Sequence, residues 1–197
     1  MFVTFEGPEG AGKSTVVKAV AEALRKEGHS VLATREPGDG PVGALIREVL
    51  LHGRDLDPKA ELMLFLADRA QHVAEAIRPA LARGDVVLCD RYADSTVVYQ
   101  GHARGLDLES LRAWNAFVTG GLQPDLTVLL DLAPEVGLDR IRAKDRLDAE
   151  PLDFHRKVRN GFLAEARRET RRWAIVNASR TVGEVTAEAL EAIKARL

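Results

Sequence analysis

Eight consecutive residues near the N-terminus, Gly7-Pro8-Glu9-Gly10-Ala11-Gly12-Lys13-Ser14, fit the spacing G-x-x-x-x-G-K-[ST]. From the chain's own composition, such a string arises by chance only about three times in a thousand. Its glycines let the backbone curl until successive N–H groups point inward at phosphate oxygens, and a helix starting at Lys13 adds the partial positive charge of its N-terminus. Gly7 to Thr15 are therefore the expected ATP-binding stretch, with Lys13 reaching the β and γ phosphates and the Ser14 hydroxyl ligating Mg2+. Such a loop serves kinases, GTPase switches and motor ATPases alike. The chain has no N-K-x-D segment to read guanine, and Asp90-Arg91-Tyr92-Ala93 lacks the glycine of a D-x-x-G switch. It is also short for a DNA motor, which leaves phosphoryl transfer between small molecules.

A phosphate acceptor fits the rest of the chain's chemistry. A phosphomonoester is largely dianionic at pH 7, so it attacks without a general base, and neither a catalytic His nor a nucleophilic triad is evident. The central problem is bringing two polyanions together, which needs fixed positive charge as well as Mg2+. Arg35, Arg69 and Arg91 are candidates for gripping the acceptor, because a planar guanidinium fork suits bidentate phosphate binding. Arg91 and Asp90 follow an apolar strand, at the end where ligands sit in open α/β sheets. Phe65 and Arg69 are four apart and share a helix face, although Leu62, Leu64 and Leu66 beside them also suit a plain core position for Phe65. Gln100 carries both a donor and an acceptor and can read a pyrimidine edge. His29, His52, His72, His102 and His155 lack metal-ligand spacing, so surface or packing roles are expected of them.

These residues need a scaffold of alternating strands and helices. Short apolar runs at Phe2–Phe5, Ser30–Thr34, Val86–Cys89, Leu126–Asp131 and Trp173–Asn177 read as five strands, and Val86–Cys89, apolar on both faces, implies a parallel sheet covered on each side. Helices are expected over Lys13–Glu27, Val42–Leu51, Lys59–Ala82 (capped by Asp57, with Pro58 first and a kink near Pro79), from Ala93, over Leu108–Thr119, Pro134–Arg142 and Asp153–Arg172, and over Val182–Leu197. With no internal repeat or low-complexity linker, residues 1–197 are expected to form one α/β domain. The 46% hydrophobic content excludes a disordered chain, and a formal charge of −2 argues against a nucleic-acid coat. The single Cys89 excludes a disulfide framework and a cysteine-based zinc site. No apolar run is long enough to span a membrane, and the N-terminus has no cleavage-type segment, so a cytoplasmic protein is expected.

Taken in order, Phe5-Glu6-Gly7 through Ser14, Thr34-Arg35-Glu36-Pro37-Gly38, Phe65-Leu66-Ala67-Asp68-Arg69-Ala70-Gln71, Asp90-Arg91-Tyr92 with Ser95, Tyr99-Gln100-Gly101, Pro124-Asp125-Leu126-Thr127 and Leu130-Asp131-Leu132 with Pro134-Glu135-Val136-Gly137-Leu138 resemble the thymidylate kinase family. The resemblance runs from Phe2 to about Val182. It implies the P-loop nucleoside monophosphate kinase fold, three layers around a five-stranded parallel sheet, and transfer of phosphate from ATP to dTMP. By resemblance, Arg35 and Arg91 hold the dTMP phosphate, Arg69 the base edge, and Asp90 supports Mg2+ through water. Phe65 stacks on thymine, Tyr99 sits against the sugar C2′, Glu9 binds the 3′-hydroxyl, and Arg180 flanks adenine. The phosphate loop has no Arg between Gly7 and Ser14, as in the bacterial branch, whose catalytic charge comes from a lid. Here the lid spans about 140–151, a few residues shorter than usual, and offers Arg142, Lys144 and Arg146, with Arg146 favoured. Asp39-Gly40 departs from the family's glycine and threonine. The family also implies a homodimer, for which the apolar helix at Leu62–Leu66 offers a surface, although its apolar residues equally suit the core. Two alternatives stay open: a kinase of the same fold acting on another nucleotide or small metabolite, and a non-catalytic nucleotide-binding protein.

Overall fold

A computed structural model describes residues 1–53, 55–143 and 145–197; of the lid candidates, Lys144 lies outside the described residues. The five strands are β1 (Phe2–Glu6), β2 (Val31–Arg35), β3 (Val86–Asp90), β4 (Leu126–Asp131) and β5 (Trp173–Asn177). They pair in the order β2-β3-β1-β4-β5, parallel throughout. The helices are α1 (Lys13–Lys26), α2 (Gly40–His52), α3 (Pro58–His72), α4 (Arg78–Ala82), α5 (Ala93–Thr96), α6 (Leu108–Thr119), α7 (Pro134–Arg140), α8 (Leu152–Arg168) and α9 (Val182–Lys194).

Strand residues alternate between two cores, which is why the strands read as continuously apolar. Val3, Phe5, Leu88, Val128 and Leu130 pack on one side with Val16, Val20 and Leu24 of α1 and Val185, Ala189 and Ile193 of α9. Phe2, Val87 and Cys89 face the other side with Val73, Ile77 and Tyr92, while Leu129 and Trp173 meet Val158 and Phe162 of α8. A fully buried Phe or Leu contributes roughly 1.5–3 kcal/mol, so the two layers of helix hold the sheet from both faces.

Four local expectations are refined. The helix expected over Lys59–Ala82 begins as read, with the Asp57 side chain accepting from Lys59 N at 2.9 Å, but it widens into a π-helical segment at Val73–Ile77 just before Pro79, where a missing N–H already weakens α-helical bonding. A second π-helical segment, Val97–Ala103, follows α5 and carries Tyr99 and Gln100. The helix expected to reach Arg142 stops at Arg140. The helix expected to reach Arg172 stops at Arg168, and the turn after it lets Arg172 grip both carboxylate oxygens of Asp94 at 2.7 and 2.9 Å.

Candidate active site

The phosphate loop joins β1 to α1 and is seated by backbone contact. A Cβ on Gly7 (φ 143°) would lie 2.5 Å from the Leu130 carbonyl, and one on Gly10 (φ 69°) only 2.0 Å from the carbonyl of Gly137 in α7. Both positions thus need glycine, for conformation and for close approach. Lys13 Nζ donates to the carbonyls of Gly7 (3.0 Å) and Pro8 (2.9 Å), which hold the ammonium over the loop. Its burial and the nearby Arg91 charge bring its pKa down to about 8. The Ser14 hydroxyl donates to the Asp90 carboxylate. This pair of hard oxygen groups, one on the loop and one at the end of β3, suits Mg2+. Thr15 lies exposed beside Ser14.

Arg91 occupies the first position beyond β3 with φ 69°, a left-handed conformation that costs a non-glycine residue about 1–3 kcal/mol. Its N–H donates to Phe5 O at 2.9 Å, and its guanidinium reaches Gly7 O (3.2 Å), Ser95 Oγ (3.3 Å) and Glu9 Oε1 (3.2 Å) while lying 5.0 Å over the Tyr99 ring. Glu9 is therefore itself engaged beside the phosphate loop. Its carboxylate accepts from Arg91, from the Tyr99 hydroxyl and, at 3.2 Å, from the His155 ring. Burial alone would raise its pKa, yet the bond with His155 and the charges of Arg91 and Lys13 bring it to about 2. Behind this group the buried Glu6 accepts from Tyr92 N (2.8 Å) and Ser95 Oγ (2.6 Å), and burial together with Asp94 lifts it to about 7.

These groups open onto a cavity of ≈ 300 Å3 that is also lined by Arg35, Arg47, Phe65, Arg69 and Gln100. Arg35 is exposed at the end of β2. Phe65 is half-buried against Leu50, Leu51 and Leu147, so it forms the cavity's apolar wall rather than lying wholly in the core. Arg69 is almost fully buried. Four of its five N–H donors go to Glu36 Oε2 (2.8 Å), Thr96 Oγ1 (2.7 Å), Asn115 Oδ1 (2.7 Å) and Tyr92 O (3.0 Å). Gln100 donates to Glu61 Oε1 at 2.9 Å.

The lid arginines separate. Arg146 is turned away from the phosphate loop: its Nε donates to Leu50 O at 3.0 Å and its Nη2 to Glu61. Arg142 is exposed in the turn after α7. Arg140, not singled out from sequence, reaches Ala178 O at 3.2 Å, and Arg180 pairs with Glu188 on the surface. Of the two readings of Leu62–Leu66, surface or core, Leu62 and Leu66 follow the second and pack inward on Leu111, while Met63 between them is exposed. Six exposed apolar side chains gather on three helices, Val42, Leu45 and Val49 of α2, Met63 of α3, and Trp114 and Phe117 of α6, while Val136, Ile175, Val182 and Leu197 are exposed elsewhere.

Sequence reasoning left out Arg47 and Glu61, and it gave no site role to Glu36 or to the buried histidines. His72 bonds Glu36 Oε1 at 2.9 Å and Thr34 Oγ1 at 2.8 Å, and His155 meets Glu9, so neither is a surface group. Glu36 carried a signal, lying inside the Thr34–Gly38 motif, whereas Arg47, Glu61 and His155 stood in no chemical pattern. Glu36, His72 and Cys89 lie within 4.8 Å of one another, but Glu36 is already engaged by Arg69 and His72, and burial pushes the Cys89 thiol up, away from the thiolate a metal needs.

Comparison with known proteins gives the family and the fold. The model of the family described as thymidylate kinase matches residues 5–189. The chain is 52% identical to the thymidylate kinase of a Synechococcus strain over 100% of this chain and 96% of that one. It is 54% identical to that of Thermomicrobium roseum over 96% of this chain and 91% of that one. The crystal structure of thymidylate kinase from Ehrlichia chaffeensis superposes with a TM-score of 0.84 at 30% identity, covering 98% of both chains. The chain belongs to the thymidylate kinase family.

Proposed function

We propose that the protein transfers the γ-phosphoryl group of ATP to the phosphate of dTMP, giving ADP and dTDP, in the cytoplasm. The observation that carries this reading is that the phosphate-loop lysine, Arg91, Tyr99 and Gln100 line a single cavity. ATP lies with its phosphates on Gly7 to Ser14, and the acceptor lies between Arg91, Phe65 and Gln100. An oxygen of the dTMP phosphate attacks the γ-phosphorus in line as the bond to the β–γ bridging oxygen breaks, and ADP leaves. Lys13 meets the charge that develops on the β and γ oxygens. Arg91 and Arg35 hold the attacking phosphate, and Arg47, 2.8 Å from Pro37 O, adds positive charge at the same end of the cavity. Ser14 and Asp90 would hold Mg2+, which would supply positive charge to the phosphates. Glu9 fixes Arg91 and Tyr99, so the acceptor meets preorganised groups.

The exposed apolar side chains of α2, α3 and α6, three helices packed side by side, favour a homodimer through that face. Among the described residues no helix is long and apolar enough to cross a membrane.

The test is coupled ADP release with dTMP, dUMP, UMP, CMP and AMP compared side by side, together with Lys13→Ala. The expected result is a clear preference for dTMP and a loss of at least roughly a hundredfold in turnover for the variant. Equal rates across the panel, or a folded Lys13→Ala protein within threefold of the parent, would overturn the assignment.

A further inference from the structure

Gln100 lines the cavity with a side-chain amide, and an amide has two ends of similar shape and opposite hydrogen-bond sense. Whichever end a neighbour captures determines what the other presents. Here the neighbour is Glu61 of α3, which is 1% exposed and receives Gln100 Nε2 at 2.9 Å. An ionised carboxylate only accepts, so it takes the NH2 end and leaves the carbonyl oxygen for the cavity. Burial would favour the neutral acid, but the bonds from Arg146 and Gln100 and the charge of Arg104 hold Glu61 below the usual carboxylate range.

Glu61 gathers three donors from two parts of the chain. Gln100 lies in the second π-helical segment and Arg104 just beyond it. Arg104 gives Nε to Glu61 Oε1 at 2.9 Å and Nη2 to Glu150 at 2.9 Å. Arg146 gives Nη2 to Glu61 while its backbone N–H donates to Leu51 O at 3.1 Å. Residues 146 to 150 are thus fastened to the carboxylate that orients the amide.

We infer that Glu61 is a specificity-determining positioning residue: it locks the Gln100 amide with its carbonyl toward the acceptor base, and Arg146 ties that orientation to the docked lid segment. The inference rests on the reading that Gln100 faces the base of the acceptor. A pyrimidine with a hydrogen on N3, such as thymine or uracil, meets this carbonyl with a donor. Cytosine presents a bare N3 lone pair at that edge, and two facing acceptors repel. A site built around one hydrogen-bond sense rejects the wrong partner strongly, because a polar group is otherwise left unpaired.

The experiment measures kcat/KM for dTMP and dCMP at fixed ATP and Mg2+ in the parent, Glu61→Gln, Glu61→Asp and Gln100→Ala. Glu61→Gln keeps the shape but can offer Gln100 either a donor or an acceptor. Glu61→Asp keeps the charge for Arg104 and Arg146 but shortens the reach to Gln100 by one methylene. Both are expected to narrow the preference for dTMP over dCMP by about tenfold, through dCMP gaining as well as dTMP losing. A purely structural carboxylate would lower both acceptors alike and leave the ratio unmoved. A ratio within threefold of the parent in whichever Glu61 variant folds by circular dichroism, while Gln100→Ala shifts it, overturns the role of Glu61 alone. An unmoved ratio in Gln100→Ala as well removes the reading of Gln100 and the inference with it.

Discussion

Replacing Gly137 with alanine places a methyl carbon 2.1 Å from the carbonyl oxygen of Glu9, a separation that real Cβ atoms essentially never show. Gly137 lies within α7 and is not at positive φ, so the backbone tolerates the change and helix propensity alone would favour it by about 1 kcal/mol. The effect is therefore steric. Restoring ordinary contact requires α7 and the phosphate loop to separate by more than about 1 Å. Glu9 cannot simply swing aside, because its carboxylate is held by Arg91, Tyr99 and His155. Overpacking of this kind costs about 1–3 kcal/mol, so after the gain in propensity the net destabilisation is about 0–2 kcal/mol. That corresponds to a drop in Tm of at most about 8 °C for a chain of this size. Catalysis suffers more, since misplacing reacting groups by 1 Å costs on the order of a hundredfold. Steady-state kcat/KM for ATP at saturating dTMP, with a thermal melt on the same samples, separates the two effects. Gly183→Ala in α9, where an added Cβ meets nothing within 4 Å, is the control and should leave kinetics unchanged. A folded Gly137→Ala protein with kcat/KM within threefold of the parent would refute the claim that the phosphate loop is seated on α7.

Tyr99→Ala should lower activity on dTMP and narrow its preference over the ribose counterpart by roughly tenfold, about 1.4 kcal/mol, while Tyr99→Phe, which keeps the ring, should retain the preference; an unchanged ratio in the alanine variant would show that the sugar is read elsewhere. Arg142→Ala should lower kcat more than it raises KM for dTMP, whereas Arg146→Ala, fastened to Glu61 in the parent, should act mainly on KM; kcat within fivefold of the parent in both and in the double variant would exclude the lid as a source of catalytic charge. Lys13 loses its proton as pH rises through about 8 in the nucleotide-free protein, and the phosphates of ATP favour the ammonium, so affinity should fall above that pH. Titration calorimetry at pH 8 in buffers of different ionisation enthalpy should then show uptake of about half a proton per ATP, and no uptake would contradict the buried, depressed Lys13.

What could be read in advance follows from distance along the chain. The phosphate loop is a contiguous string, the strands are short apolar runs, and Asp57-Pro58 marks a helix start locally, so each was accessible from neighbouring residues. Arg69 shows the limit. Its place at the cavity was legible, but its commitment to Glu36, Thr96, Asn115 and Tyr92 depends on elements brought together only by folding. The same holds for Arg146, whose placement in the lid suggested a catalytic cation, while its partner Glu61 lies 85 residues away. His155 meets Glu9 across 146 residues, and no spacing rule connects them. The π-helical segment under Tyr99 and Gln100 has the same apolar periodicity as an ordinary helix over so few residues, so the widened turn left no mark in the pattern.

The place of β1 at the middle of the sheet bears on how the protein is made. This first strand pairs with β3 and β4, and Phe2 N donates to the Asp125 carboxylate at 2.7 Å across 123 residues. Contacts of such long sequence separation form slowly, because a large loop must close before they give any return. The nascent chain therefore exposes its nucleotide-binding glycines first and can seat them only after β4 and α7 have left the ribosome, since Leu130 and Gly137 supply the backbone against which Gly7 and Gly10 rest. Nucleotide capture is then a property of the nearly finished chain, and ATP bound during synthesis reports that the central strand has found both of its neighbours.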